Sequence, residues 1–240
     1  MNKLTIGIIS ALALAGSLPA NAQFNIVNPL PQKIQATGFA TVPQSVRIKT
    51  TSQRQQSIAV AALKSALKVE QGAKFTVTLG VKGDKSVKAY TKHLPDKAEA
   101  YWLSVGDKGA VVVGNDEEGL FYGVQTLIGS MAQGKLEKGT VSDWPDVDFR
   151  GTVEGFYGTP WSHQARLSQI EFYGRNKMNT YIYGPKDDPY HRDQWRKPYP
   201  ADKAQRIGVE AERCELLLGD TPGRRHKVEQ RRPRQPHQQA

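Results

Sequence analysis

Two short stretches carry the side chains best suited to chemistry in this chain of 240 residues. The first, F-R-G-T-V-E-G-F-Y-G-T-P-W over residues 149–161, ends in Gly155, Tyr157 and Trp161. The second, N-T-Y-I-Y-G-P-K-D-D-P-Y over residues 179–190, ends in Lys186, Asp187 and Asp188. Lys186 is either a donor able to serve adjacent hydroxyls or a solvated loop charge. Tyr157 and Trp161 offer faces that stack on a sugar ring or pack beneath their own loop; packing is favoured for Trp161. Gly155 either leaves its backbone open to a close-approaching ligand or makes a tight turn. Adjacent carboxylates can divide acid and base roles, but a pair just before Pro189 more often shapes a turn through side-chain to backbone bonds. Asp187 and Asp188 are therefore not read as catalytic. His163 and His191 have no metal-ligand partners at useful spacing, and the chain shows no phosphate loop, dinucleotide fingerprint or nucleophile elbow. Neither a cofactor nor a metal is expected.

The elements that must position these residues are two strands and the helix between them. Phe149–Phe156 reads as one strand and Asn179–Gly184 as the next. Ser162 or His163 opens a helix whose Ala165, Leu167, Ile170, Phe172 and Tyr173 supply the buried face. Gly155 to Gly184 spans about thirty residues, the length of one βα repeat. In a (β/α)8 barrel such strands end at the face where chemistry gathers.

Ahead of them the pattern is mixed. Val46–Lys49 reads as a strand, Ser57–Val69 as a helix and Phe75–Val81, F-T-V-T-L-G-V, as a half-buried strand. Tyr101–Val105 and Ala110–Val113 flank G-D-K-G, which is hairpin chemistry. Asn115-Asp116-Glu117-Glu118 supplies a cap and first-turn acids for a helix through Leu127. Trp144-Pro145 then breaks regular structure. The fold class expected is α/β: a small mixed domain over residues 23–143, the first part of a (β/α)8 barrel over residues 144–205, and an aberrant or disordered basic tail over residues 206–240, where Arg206-Ile207-Gly208 interrupts a helical pattern. Residues 23 to about 140 are expected to fold alone and the barrel portion to be poorly stable.

Composition narrows the class further. The net charge of +10 is uneven: residues 221–240 carry +5, while residues 23–220 carry only +4. A uniformly basic surface for nucleic acid is not indicated. Lys3, the apolar run Ile6–Leu14 and Ala20-Asn21-Ala22 read as a signal peptide over residues 1–22, cleaved after Ala22, which implies an exported, periplasmic or secreted protein. No other segment reaches transmembrane length. The single cysteine, Cys214, rules out an intrachain disulfide.

R-G-T-V-E-G-F-Y-G-T-P-W-S-H followed by N-K-M-N-T-Y-I-Y-G-P-K-D-D-P-Y resembles the β-N-acetylglucosaminidases of glycoside hydrolase family 84, the O-GlcNAcase and hyaluronidase-like enzymes. The preceding G-N-D-E-E-G-L-F-Y-G-V-Q-T-L resembles the end of the small domain found before the barrel in several hexosaminidase families. The resemblance implies sugar-hydroxyl contacts at Gly155 and Lys186, and Tyr157 stands beside them as a third substrate-binding candidate. It implies retaining, substrate-assisted hydrolysis of terminal N-acetylglucosamine from glycans or glycoproteins, with two consecutive aspartates on a later strand dividing acetamide polarisation and acid/base work. Asp187 and Asp188 do not occupy that place. The chain reads as the N-terminal part of such an enzyme, truncated or frameshifted after about residue 205, and inactive for lack of the aspartate pair. The alternative is a non-catalytic exported carbohydrate-binding protein; a third reading is a basic-tailed polyanion binder. The sequence specifies no oligomeric state.

Overall fold

The computed structural model describes residues 27–131 and 134–218. The signal-peptide segment and the basic residues 219–240 lie outside the described residues.

A six-stranded sheet forms the first part. Its strands are β1 (Lys33–Thr41), β2 (Val46–Lys49), β3 (Phe75–Val81), β4 (Tyr101–Gly106), β5 (Gly109–Gly114) and β6 (Lys135–Asp143). They lie side by side in the order β1-β6-β4-β5-β3-β2. The β4–β5 hairpin turns through Asp107-Lys108, and β3 runs parallel to both β5 and β2. Helices α1 (Ile58–Ala66) and α2 (Glu117–Gly129) cover one face. Alternation in β4 and β5 sends Tyr101, Leu103, Val105, Ala110 and Val112 to meet Leu63, Leu120, Val124 and Leu127 from the helices. The other face carries a smaller cluster of Val87, Trp102 and Val113 beneath a 3-10 turn at Lys88–His93.

Capping fixes where both helices start. Ser57 accepts from the Val60 N–H, and Asp116 accepts from the Gly119 N–H at 2.8 Å and the Glu99 N–H at 2.7 Å. Each satisfies a donor that the first turn leaves unpaired. Gly119 also lets α2 sit against the Ala100 carbonyl, where a Cβ would collide. The sequence reading anticipated β2, β3, the hairpin and both helices, but not β1 or β6. Those two strands pair with each other through polar and glycine-interrupted stretches, with a register shift between Ala36 and Gly38.

The second part is a βαβα unit: β7 (Gly151–Glu154), α3 (His163–Arg175), β8 (Thr180–Tyr183) and α4 (Ala201–Leu218). β7 and β8 pair in parallel, Gly151 opposite Thr180 and Glu154 opposite Tyr183. Two parallel strands, each followed by a helix, are the repeating element of a (β/α)8 barrel. The chain is thus a mixed α/β domain followed by the opening part of such a barrel.

Two expectations about the helices need correction. The buried residues of α3 are Arg166, Ile170, Tyr173 and Gly174, while Ala165 and Phe172 are exposed. Hydropathy ranks Arg166 as a surface residue, but a carboxylate on β7 holds it inside. Residues 206–218 are also helical rather than irregular. Gly208 faces open space and costs α4 only about 1 kcal/mol of propensity. Ile207, Glu210 and Cys214 recur on one side of α4 and are buried, with Cys214 against Ile170 and Tyr173.

A polar seam joins the two parts. Glu99, 4% exposed, pairs with Arg150 and accepts from Asn179 Nδ2 at 3.1 Å. Arg150 Nε donates to the Lys177 carbonyl at 2.9 Å. Beside this, Lys177 Nζ donates to Asp143 Oδ2 at 2.8 Å and to the Tyr101 hydroxyl at 2.9 Å, and that hydroxyl stands 2.5 Å from Thr126 Oγ1. Burial lowers the Lys177 ammonium from its usual range and the Asp143 charge opposes the shift. Glu99 and Lys177 also have left-handed backbones, φ 59° and 58°. That geometry is costly for a residue with a side chain, and it persists where surrounding contacts over-determine it.

Lys177→Met should therefore lower the unfolding free energy by about 3 kcal/mol, because a buried carboxylate loses its cation. Urea unfolding checks this. The double variant Lys177→Met, Asp143→Leu should recover part of the loss; strictly additive losses would contradict a paired role.

Candidate functional site

The C-terminal ends of β7 and β8 lead into two loops whose pairing continues past the strands. Gly184 N–H donates to the Glu154 carbonyl at 3.0 Å, and Lys186 N–H donates to the Phe156 carbonyl at 3.1 Å. The Gly158 N–H then donates to Asp187 Oδ2 at 2.8 Å. Three bonds in sequence thus lay residues 154–158 alongside residues 184–187. Gly155, Tyr157 and Lys186, which the sequence singles out, stand at one mouth. Tyr157 is 75% exposed, and Lys186 Nζ lies 6.0 Å from its ring centroid, within cation–π range. The mouth therefore presents an aromatic face and a cation to solvent. Period-two alternation turns Val153 and Ile182 to the side away from α3 and α4, where both are more than half exposed.

Two buried carboxylates hold these loops from below. Glu154, fully buried at the last position of β7, accepts from Arg166 Nε at 2.7 Å, Arg166 Nη2 at 2.9 Å, the Trp161 N–H at 2.9 Å and the Tyr181 hydroxyl. Burial pushes its carboxyl up, but the Arg166, Tyr181 and Trp161 donors outweigh that, and the group lies below its ordinary value. Asp188 is 1% exposed. It accepts from the hydroxyls of Tyr183 at 2.5 Å and Tyr199 at 3.0 Å, from Lys203 Nζ at 2.9 Å and from the Tyr190 N–H at 3.0 Å. Burial again raises the carboxyl, and the Tyr183, Lys203 and Tyr190 donors bring it below its ordinary value.

The aspartates thus have the turn-shaping bonds that their position before Pro189 suggests, Asp187 to the neighbouring loop and Asp188 to its own. Asp188 is buried with three donors on Oδ2 and one on Oδ1, which closes it off from a substrate's proton, whereas Asp187 is exposed and holds the Gly158 N–H through Oδ2. Sequence reasoning missed Glu154, although an acid closing an apolar strand, with Arg166 one helix turn inside the following helix, is a usable signal. Trp161 packs against Phe156 at 5.7 Å between centroids. His163 Nδ1 lies 2.8 Å from Glu210 Oε1 and so belongs to an α3–α4 contact.

A cavity of about 400 Å³ opens between the starts of α3 and α4, lined by Trp161, His163, Arg166, Tyr183, Lys203 and Glu210 among others. It excludes Gly155, Tyr157 and Lys186, and its charges are engaged with one another or with Glu154, Asp188 and Asp202. Among the described residues, no three His, Cys, Asp or Glu side chains stand close enough together to hold a metal ion, and no helix is long and apolar enough to cross a membrane.

Comparison with known proteins separates the two parts in the same way. Residues 150–215 match the beta-N-acetylglucosaminidase family, and residues 25–144, half of the chain, match glycosyl hydrolase family 20, domain 2. A 57-residue stretch is 42% identical to protein O-GlcNAcase of Rattus norvegicus, covering 24% of this chain and 6% of the rat protein. The solved structure of CpGH84B superposes with a TM-score of 0.69 at 33% identity, covering 81% of this chain and 36% of that one. The GH20 beta-N-acetylhexosaminidase of Streptomyces coelicolor A3(2) shares the fold, with a TM-score of 0.60 at 16% identity over 82% of this chain and 45% of that one. The chain therefore spans less than half the length of these relatives.

Because Glu154 and Asp188 both have depressed carboxyls, their stabilising bonds are complete above the ordinary values of 4.5 and 3.8 and are lost as pH falls through the lower folded-state values. Near-UV circular dichroism during acid titration should show the loop tyrosines losing their fixed environment in that window. Glu154→Gln should flatten its share of the dependence; an unchanged profile would remove Glu154 as its source.

Proposed function

This chain belongs to the β-N-acetylglucosaminidase glycosidases of the family 84 type, with a glycosyl hydrolase family 20 second domain ahead of the barrel opening, and from that premise we propose that its strand-end mouth binds the hydroxyls of a terminal N-acetylglucosamine. The observation that carries the reading is the loop pairing that sets Gly155, Tyr157 and Lys186 side by side. Lys186 donates to adjacent hydroxyls, the Gly155 backbone accepts or allows close approach, and Tyr157 offers its ring face. In the complete glycosidase this half of the site orients the sugar while the 2-acetamido oxygen attacks the anomeric carbon and an acid protonates the leaving oxygen. Substrates are glycans or glycoproteins ending in N-acetylglucosamine. The exported location indicated by Lys3, Ile6–Leu14 and Ala20-Asn21-Ala22 belongs to the same proposal.

The acid/base half is assigned to neither Asp187 nor Asp188: Asp188 is buried among four donors, and Asp187 holds the Gly158 N–H of the neighbouring loop. The chain by itself is therefore a binder of the sugar without turnover, which also accommodates the carbohydrate-binding alternative. It should leave 4-nitrophenyl N-acetyl-β-glucosaminide unhydrolysed above background. Turnover abolished by Asp187→Asn would reverse that assignment. Lys186→Ala should weaken N-acetylglucosamine binding tenfold to a hundredfold, the effect of losing one charged hydrogen bond of ~1.5 to 3 kcal/mol. Its melting temperature should stay near that of the parent, since Lys186 is exposed and its ammonium lies over the equally exposed Tyr157 ring. Unchanged affinity would make Lys186 a solvated charge.

A further inference from the structure

Lys186 sits two residues before Asp188, a buried carboxylate that carries four donors. The Asp188 N–H donates to the Pro185 carbonyl at 3.2 Å, closing a turn around Lys186, and the His191 N–H donates to the Asp188 carbonyl at 3.0 Å. The side chain of Asp188 is fully buried. It gathers Tyr183 from the end of β8, Tyr199 from the approach to α4, Lys203 from the first turn of α4, and the Tyr190 N–H from its own loop. Lys203 Nζ lies over the rings of Tyr199 and Tyr190, at 4.8 and 5.5 Å from their centroids. Four donors from three elements therefore converge on one acidic group. They fix the position of Asp188, and with it the turn whose tip is Lys186.

From this geometry we infer that Asp188 is a positioning residue for Lys186: its bonds to Tyr183, Tyr199 and Lys203 hold the Pro185–Asp188 turn so that the Lys186 ammonium stays beside Tyr157. The inference rests on the proposed role of Lys186 in sugar binding. Asparagine is nearly isosteric with aspartate, but it accepts through one oxygen and turns an NH₂ toward donors that need an acceptor. Asp188→Asn thus removes the convergence with minimal change in volume. Tyr199→Phe removes a single donor and leaves the carboxylate and its cation in place.

Two measurements on the described chain decide it. The first is amide hydrogen exchange, which needs no ligand. Asp188→Asn should speed exchange of the Lys186 and Gly158 amides at least tenfold, with Tyr199→Phe giving a smaller increase of the same sign, while Leu103 and Val112 in the centre of the sheet stay protected. Equal rates at Lys186 and Gly158 in parent and both variants would overturn the positioning role. If Asp188→Asn does not fold, Tyr199→Phe alone decides this arm by the same criterion.

The second is a double-mutant cycle in N-acetylglucosamine binding. Asp188→Asn should weaken affinity about tenfold in the parent but by less than twofold in a Lys186→Ala background, because there the group it positions is gone. Equal effects in both backgrounds would mean that Asp188 acts on the fold and not through Lys186, and would overturn the inference. Failure of Lys186→Ala to change affinity would instead strike the proposed role of Lys186, and the exchange result would still decide whether Asp188 orders the turn.

Discussion

The opening of the barrel depends on charges buried against the domain before it. A two-stranded ribbon is at best marginal alone in water, and β7 and β8 are four residues each. What fixes them is attachment: Arg150 enters β7 while paired with Glu99, and Asn179 enters β8 while bonded to Glu99 and to the Arg150 N–H. Lys177 adds a second crossing to Asp143, the last residue of β6. Breaking one partner of such a pair strands the other in a medium that solvates charge poorly, so the seam is costly to open. The two parts are therefore one assembly in which the sheet supplies the footing for the site.

The same logic recurs at the site, with the roles of acids and bases reversed from what a motif search looks for. Glu154, Asp187 and Asp188 stand within the strand-end loops, yet each is occupied by protein donors. Their bonds order the two loops, while the Lys186 ammonium and the Tyr157 ring stand exposed at the mouth. Carboxylates make good internal fasteners because they accept several hydrogen bonds at once. An acidic cluster near a mouth is thus as well explained by architecture as by chemistry.

Local signals made much of this legible in sequence. Ser57 and Asp116 mark helix starts, Asp107-Lys108 marks a hairpin, and the strand-end glycines and Lys186 mark the mouth. These depend on neighbours within a few residues. What escaped depends on distant partners. β1 and β6 read as polar because one side of each faces solvent, and their pairing joins residues about a hundred positions apart. Arg166 is buried because Glu154, Glu210 and the Tyr183 ring receive it, and α4 persists through Gly208 because Ile207 and Cys214 find cover on its other side. The lining of the mouth was legible as a motif; the buried scaffold of Glu154, Arg166 and Asp188 was not, since hydropathy assigns such residues to the surface.

The order of the seam residues along the chain has a further meaning. Glu99, Tyr101, Thr126 and Asp143 precede Arg150, Lys177 and Asn179, and all of them precede Thr180. During synthesis the sheet can be complete before its barrel partners emerge, and domains made first generally fold first. The sheet is then in place to hold the entry ends of β7 and β8 as they emerge. On this view the first domain is a built-in chaperone for the strands that carry the mouth.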